Sequence, residues 1–198
     1  SHIKRIQPDI IHMHVLHGYY INVPMLFHYI NKNKIPYIWT MHDCHAFTGN
    51  CGYFFDCRRW EDGCGDCPYL RNYPKSIWID DTARMWLHKK ALYGNTKGKI
   101  VVPSQWLLEE VKKSFLGNAD CRVIPNGIDT TVFAYSQEKN KLREKHGYSS
   151  EEKIILGVAV GYQDQRKGVE YILRLAEELK EAKKIRDNLK TEYQEIGI

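Results

Sequence analysis

The chain lacks the uninterrupted apolar stretch of about 18 residues that a membrane-spanning helix needs, and no charged segment followed by an apolar one opens it. The sequence therefore predicts neither a membrane span nor a signal peptide, and we expect a cytoplasmic protein. Repetitive and disorder-prone segments are also missing. Of the 198 residues, 43% are hydrophobic and 12% are aromatic, which is ample for a packed core.

The charge balance favours anionic partners. A formal net charge of +5 and a pI near 8.8 suit nucleotide diphosphates, lipid phosphates or an acidic membrane face. The Lys and Arg residues are scattered and often accompanied by Glu, which is typical of a solvated surface. Basic and aromatic residues do not interleave as in nucleic-acid-binding proteins, so we expect no nucleic-acid partner.

Apolar periodicity predicts alternating strands and helices. Alternation at this spacing favours an α/β fold with a parallel, doubly wound sheet. The expected strands cover 9–14, 36–41, 99–102 and 122–124, and the expected helices cover 20–31, 82–93 and 105–115.

The third of these helices follows Ser104, whose hydroxyl is placed to cap it. That cap puts the positive end of the helix at the carboxyl edge of the sheet, where such folds bind ligands. The expected core-facing residues of this helix are Trp106, Leu107, Val111 and Phe115.

The segment VIPNGIDTTVF, residues 123–133, predicts a strand that ends in a turn. Pro125 ends the strand because it lacks an N–H, and Asn126-Gly127 is expected to supply the positive φ of a tight turn. Asp129 can cap the backbone that follows. Taken alone, the segment is an ordinary strand-ending turn.

A polar, charged segment between Phe133 and Lys153 predicts a domain boundary, with a short helix at 140–146. Beyond it, the pattern predicts a strand at 154–160 and an amphipathic helix after Lys167-Gly168. We therefore expect a first domain over 1–134, a linker over 135–152 and the start of a second domain over 153–198.

Several segments in order resemble one enzyme family. PDIIHMH, PYIWTMHDCHAFTGNC, GCGDCP and YPKS precede VIPNGIDTTVF, which lies between KIVVPSQWLLEEVKKSF and GVAVGYQDQRKGVEYILRLAEEL. Together they resemble the family 4 glycosyltransferases of GT-B fold, in the bacterial exopolysaccharide, colanic-acid-type branch, over residues 8–180. The resemblance implies the Rossmann-like parallel sheets of a GT-B enzyme, incomplete at both ends, and a fragment that is inactive alone.

The resemblance implies retaining transfer of a hexosyl group from a nucleotide sugar to an oligosaccharide, polysaccharide or lipid-linked acceptor, without a catalytic metal. The catalytic candidate is His42, which in the family contacts the donor sugar or positions the reacting groups. Asp43 is expected to orient the loop or the imidazole. His12, His14 and His17 resemble a strand-end cluster on the acceptor side. A structural histidine bonded to the backbone is the alternative for His42. Peripheral contact with the membrane remains open.

The resemblance also implies a donor site. Lys167 matches a lysine that reaches the donor diphosphate, and Gly168 lets the backbone approach the phosphates. Many relatives carry an arginine where this chain has Gly161, so Arg166 is expected to compensate. The alternative is that Lys167 is a surface lysine. Ser104, Asn126 and Gly127 complete the expected substrate-binding set, whereas Glu170 and Glu178 match the spacing of the family's paired glutamates by chance.

Four cysteines, Cys51, Cys57, Cys64 and Cys67, are spaced C-x5-C-x6-C-x2-C in a loop spanning 44–78. Four thiolates can close a tetrahedral zinc shell, and that zinc would be structural because no ligand position stays open. Free buried thiols are the alternative, and disulfides are less expected in the cytosol.

Two functions are alternatives to the transferase: a zinc-stabilised, non-enzymatic binding module, or a catalytically dead remnant of the family.

Overall fold

The computed structural model describes residues 2–17, 20–76, 78–159 and 165–195. The chain divides into two compact units, Ser1–Phe133 and Ala134–Ile198. The division falls next to the predicted boundary, while the assignment of the units to acceptor-side and donor-side domains stays a prediction.

The first unit contains a four-stranded sheet in the order β1-β2-β3-β4. All three neighbouring pairs are parallel, which confirms the predicted α/β, Rossmann-like architecture. In the register of the sheet, Met13 pairs with Trp39, Trp39 with Ile100, and Ile100 with Cys121. The strands are β1 (Ile11–Met13), β2 (Tyr37–Thr40), β3 (Lys99–Val102) and β4 (Cys121–Val123).

Helices connect consecutive strands, as parallel pairing requires. Their apolar faces and the sheet bury an aromatic core in which the ring of Phe27 contacts those of Tyr37, Trp39 and Tyr93. Ile100 is fully buried at the centre of the sheet. The helices of this unit are α1 (His2–Ile6), α2 (Val23–Asn33), α3 (Thr82–Tyr93) and α4 (Gln105–Lys113). No helix among the described residues is both long and apolar enough to cross a membrane.

Capping side chains set where two of these helices begin. Helix α2 starts at Val23 and not at residue 20, because the side chain of Asn22 accepts the N–H of Met25 at 2.9 Å. Pro in its first turn is compatible with that start. The predicted cap on α4 is confirmed: the Ser104 hydroxyl accepts the N–H of Leu107 at 3.3 Å.

Helix α4 differs from its prediction in two ways. It ends at Lys113, because Ser114 is extended and its hydroxyl accepts the N–H of Leu116 at 3.1 Å. The expectation that Trp106 faces the core is wrong, since its side chain is 54% exposed and stacks beside Phe54 of the loop after β2. Leu107 and Val111 are buried as expected.

The turn predicted at Asn126-Gly127 does not form, because neither residue has a positive φ. A hairpin turn is needed only where the chain reverses into an antiparallel partner, and no described strand follows β4. The chain leaves the sheet exposed and irregular instead. The expected cap at Asp129 is present, since its carboxylate accepts the N–H of Thr131 at 2.9 Å.

The second unit contains α5 (Lys139–Lys145), a 3-10 turn (Gln165–Lys167) and α6 (Val169–Glu195). The predicted strand at 154–160 is wrong for 154–159, which pair with no strand, and residue 160 lies outside the described residues. A strand needs a neighbour for its backbone groups, and Leu156 and Val158 are 82% and 86% exposed. Gly168 precedes α6 with a φ of +63°, a conformation that favours glycine.

The loop between β2 and α3 contains one regular element within its described residues, the 3-10 turn Arg59–Glu61. It nevertheless contributes to the core of the unit through the buried rings of Phe47, Phe54 and Trp60. The indole of Trp86 on α3 donates to the carbonyl of Trp60 at 2.8 Å. The cysteine-bearing loop is therefore packed against the helix that follows it.

Candidate active site

A cluster of imidazoles lies at the carboxyl edge of the sheet. Strands β1 and β2 are parallel neighbours, so the segments that leave them emerge side by side. One segment carries His14 and His17, and the other carries His42, Asp43 and His45. This edge is where parallel α/β sheets bind ligands.

The predicted catalytic residue, His42, is paired with another histidine. Its Nε2 lies 3.0 Å from Nδ1 of His14, and the two rings are nearly parallel, at 13°. A hydrogen bond between two imidazoles requires a proton on one facing nitrogen and none on the other. One proton is therefore held between the two rings. Alongside, Nε2 of His12 contacts the Thr40 hydroxyl at 2.8 Å.

Asp43 lies against His17 and not against the ring of His42. One carboxylate oxygen is 2.6 Å from Nε2 of His17, and the other accepts the N–H of His45 at 3.0 Å. The His17 side chain is 9% exposed and that of Asp43 is 30% exposed. The carboxylate thus orients both the His17 ring and the start of the loop.

Lys89, on α3, binds the loop that follows β2. Its buried ammonium donates to the carbonyls of His45, Thr48 and Gly49 at 2.6, 3.0 and 3.3 Å. Burial lowers the pKa of Lys89 to about 7, while three carbonyl acceptors match the three N–H bonds of the charged form. Burial, the Lys89 ammonium and His17 together lower the pKa of His45 to about 2. His45 is consequently a neutral imidazole at physiological pH.

A cavity of about 120 Å³ opens among these groups. Its walls include the apolar side chains of Trp39, Met41 and Leu92, and His17 and His42 are among its polar lining residues. An apolar pocket with a few convergent polar groups is the usual form of a small-molecule site.

The four cysteines of the predicted zinc site line a second, smaller cavity. The N–H of Gly49 donates to Sγ of Cys64 at 3.2 Å. Burial, followed by the neighbouring thiols, raises the pKa of Cys51 to about 12. No group of three or more His, Cys, Asp or Glu side chains within the described residues is placed to hold a metal ion. Zinc binding by the four cysteines stays a prediction.

The remaining predicted site residues are distributed over both units. The Ser104 hydroxyl is engaged as the cap of α4, and Asn126 and Gly127 are exposed after β4. The second unit carries the donor-site candidates: Arg166 and Lys167 in the 3-10 turn, Gly168 before α6, and the glutamates Glu170 and Glu178 on α6. Gly161, where relatives carry an arginine, lies outside the described residues.

Sequence reasoning missed Lys89. Trp86 lies three residues before Lys89, and Tyr93 lies four residues after it, so all three share one face of α3. All three are buried. A lysine on the buried stripe of a helix was the available signal, because burial of an ammonium requires hydrogen-bond acceptors nearby.

Comparison with known proteins supplies the family. Residues 1–132 match Glycosyltransferase Family 4. The chain belongs to that family. Over 148 residues it is 32% identical to an Escherichia coli (strain K12) protein, provisionally named a colanic acid biosynthesis glycosyl transferase, WcaC. The match covers 71% of this chain and 36% of WcaC, so the chain spans about a third of this relative.

These findings confirm the resemblance to the exopolysaccharide type of family 4 glycosyltransferase. They give no support to a zinc-stabilised, non-enzymatic module. No solved structure matches the chain.

Protonation of His45 should destabilise the fold in acid. The pKa of His45 is lowered from 6.5 to about 2 in the folded chain. Below pH 6.5, His45 therefore binds a proton in the unfolded state but not in the folded state. The stability is therefore fully present above pH 6.5 and is lost as the pH falls. We expect the free energy of unfolding to drop by about 1 kcal/mol per pH unit between pH 6 and 4.5.

Urea unfolding across this range measures the effect. In His45→Gln the slope should be shallower by that amount, whereas the exposed control His28→Gln should keep the wild-type slope. Equal slopes in wild type and His45→Gln would show that His45 titrates normally.

Proposed function

We propose that the protein carrying this chain transfers a hexosyl group from a nucleotide-diphosphate sugar to a polysaccharide or lipid-linked acceptor, with retention, during exopolysaccharide synthesis. Membership of glycosyltransferase family 4 and the similarity to WcaC support a glycosyltransferase. The observation that carries the proposal is the histidine cluster around His42, beside a cavity at the carboxyl edge of the sheet. Because the chain spans about a third of WcaC, we expect it to be inactive in isolation.

His42 is the proposed contact to the reacting sugar. The bond to His14 engages Nε2 of His42, so Nδ1 is the ring nitrogen proposed to contact the sugar. A fixed imidazole can hold a sugar hydroxyl without reorganising during reaction. This is the property that catalysis by positioning requires.

The donor diphosphate is assigned to the second unit. Lys167 would neutralise the charge that grows on the leaving diphosphate as the glycosidic bond breaks, with Arg166 as the second cation. The positive φ of Gly168 lets the backbone turn tightly into α6, whose amino-terminal N–H groups favour an anion. Ser104, Asn126 and Gly127 are proposed to contact substrate from the first unit. The reaction would take place in the cytoplasm, with the basic surface suited to an acidic membrane face.

Lys167→Ala tests the donor site. The assay measures hydrolysis and transfer over a panel of UDP-, GDP- and dTDP-sugars, in the longer protein that carries this chain. We expect a loss of about 100-fold or more in kcat, because one charge-stabilising contact is removed. Lys180→Ala, an exposed lysine of α6, is the matched control and should stay near wild type. If a folded Lys167→Ala variant turns over at the control rate, Lys167 does not bind the donor diphosphate. If the wild-type protein binds no donor in the panel, the proposed transferase function is refuted.

A structural zinc on Cys51, Cys57, Cys64 and Cys67 is a separate proposal. It is supported by their spacing and by the common cavity that they line. Elemental analysis of reduced protein should give one zinc per chain, and Cys64→Ser combined with Cys67→Ser should abolish it. Cys121→Ser, in β4 and away from that cavity, should leave the metal content unchanged. Absence of zinc from freshly purified protein would leave free thiols or disulfides.

A further inference from the structure

We propose that the cavity beside the histidine cluster binds a hydrocarbon group of about five carbon atoms, part of the chain of a lipid-linked acceptor. The inference rests on the proposed transferase function and deepens it, since it selects a lipid-linked acceptor over a polysaccharide. It follows from the apolar walls of the cavity, from the internal bonds of their polar atoms and from the volume that they enclose.

The inner wall of the cavity is apolar apart from one lysine. The buried residues that line it are Trp39, Met41, Ala46, Lys89 and Tyr93. Partly buried aliphatic side chains from two helices add to this wall, Val23 from α2 and Leu92 from α3. A ligand that enters the cavity therefore meets mostly carbon.

The polar atoms of this wall already have partners inside the protein. The indole N–H of Trp39 donates to the carbonyl of His14 at 3.0 Å, and the Tyr93 hydroxyl donates to the carbonyl of Ala46 at 2.6 Å. The Lys89 ammonium is bonded to three loop carbonyls, which accounts for all of its N–H bonds. The inner wall thus has few hydrogen bonds to offer a ligand.

A sugar ring is a poor match for these walls. Each hydroxyl that is buried without a partner lowers the affinity about fivefold or more, whereas each buried methylene raises it about fourfold. An apolar cavity of about 150 Å³ holds benzene, so a cavity of about 120 Å³ has room for about five carbon atoms. An acetyl group, or the methyl group of a 6-deoxy sugar, is far smaller than this and would leave most of the cavity empty.

The polar lining groups lie where the cavity meets solvent. His14, His42 and His88 all line it and are exposed. A ligand with a hydrocarbon end inside and a polar end beside these imidazoles would match both parts of the cavity. That is the form of a lipid-linked acceptor, and it leaves the ring of His42 available for the sugar contact proposed above.

Binding of n-alkyl glucosides, from methyl to octyl, to the longer protein that carries this chain tests the proposal. The sugar is constant in this series, so only the chain changes. The affinity should rise about fourfold with each methylene that enters the cavity. The rise should level off at about five carbon atoms, where the cavity is full.

Methionine methyl groups report where the chain binds. Met41 and Met85 line the cavity, whereas Met25 is exposed on α2 and does not line it. In nuclear magnetic resonance of methyl-labelled protein, hexyl glucoside should shift the signals of Met41 and Met85 and leave Met25 unchanged. Methyl glucoside at the same concentration should leave all three unchanged.

A larger side chain at Val23 should occupy the cavity. Val23 is partly buried in the first turn of α2 and lines the cavity. Val23→Phe should therefore weaken binding of hexyl glucoside by about 100-fold, as expected when most of the chain is excluded. Met25→Phe places the same ring on the same helix at a position that is 70% exposed and outside the cavity lining, and it should bind like wild type.

The proposal is overturned if methyl and hexyl glucoside bind equally, or if the affinity keeps rising through octyl glucoside without a plateau. Wild-type binding of hexyl glucoside by a folded Val23→Phe variant, or a shift at Met25 alone, would overturn it as well. These measurements do not involve the donor. Failure of the wild-type protein to bind any nucleotide sugar would instead contradict the proposed transferase function.

Discussion

The bonds from the Lys89 ammonium to three loop carbonyls are the interaction on which the rest of the site depends. They hold His45, Thr48 and Gly49 over α3, at the start of a long loop with almost no regular structure. Asp43, two residues before His45, is involved too, because its carboxylate accepts the N–H of His45 while binding His17. Gly49 connects the anchored segment to the cysteines, because its N–H donates to Sγ of Cys64. A single buried cation therefore fixes the histidine cluster and the cysteine loop together.

The histidine cluster itself follows from topology. Parallel pairing of β1 with β2 makes two chain segments leave the sheet at one edge, and each brings histidines to it. The cluster sorts into two pairs with different chemistry: His14 with His42, which share a proton and are exposed, and His17 with Asp43, which are joined by a charge-assisted bond.

Much of the fold could be predicted, because strand 99–102 is rich in β-branched apolar residues and both this strand and helix 82–93 lie between clear breaks. The strand predicted at 154–160 shows the limit, since an apolar run forms a strand only beside a partner. In the site, His42 and Asp43 could be placed at the sheet edge because they follow a strand. Their partners could not, since the pairing depends on the register of β1 against β2, which short strands specify weakly.

We infer that the first unit binds its ligand at the histidine cluster. Nuclear magnetic resonance of histidine-labelled protein, titrated with UDP- and GDP-hexoses, tests this directly because each imidazole reports its own environment. We expect shifts or broadening at His14, His17 and His42, with His28 and His146 unchanged. Binding that moves only His28 or His146, and leaves the cluster unperturbed, would contradict it.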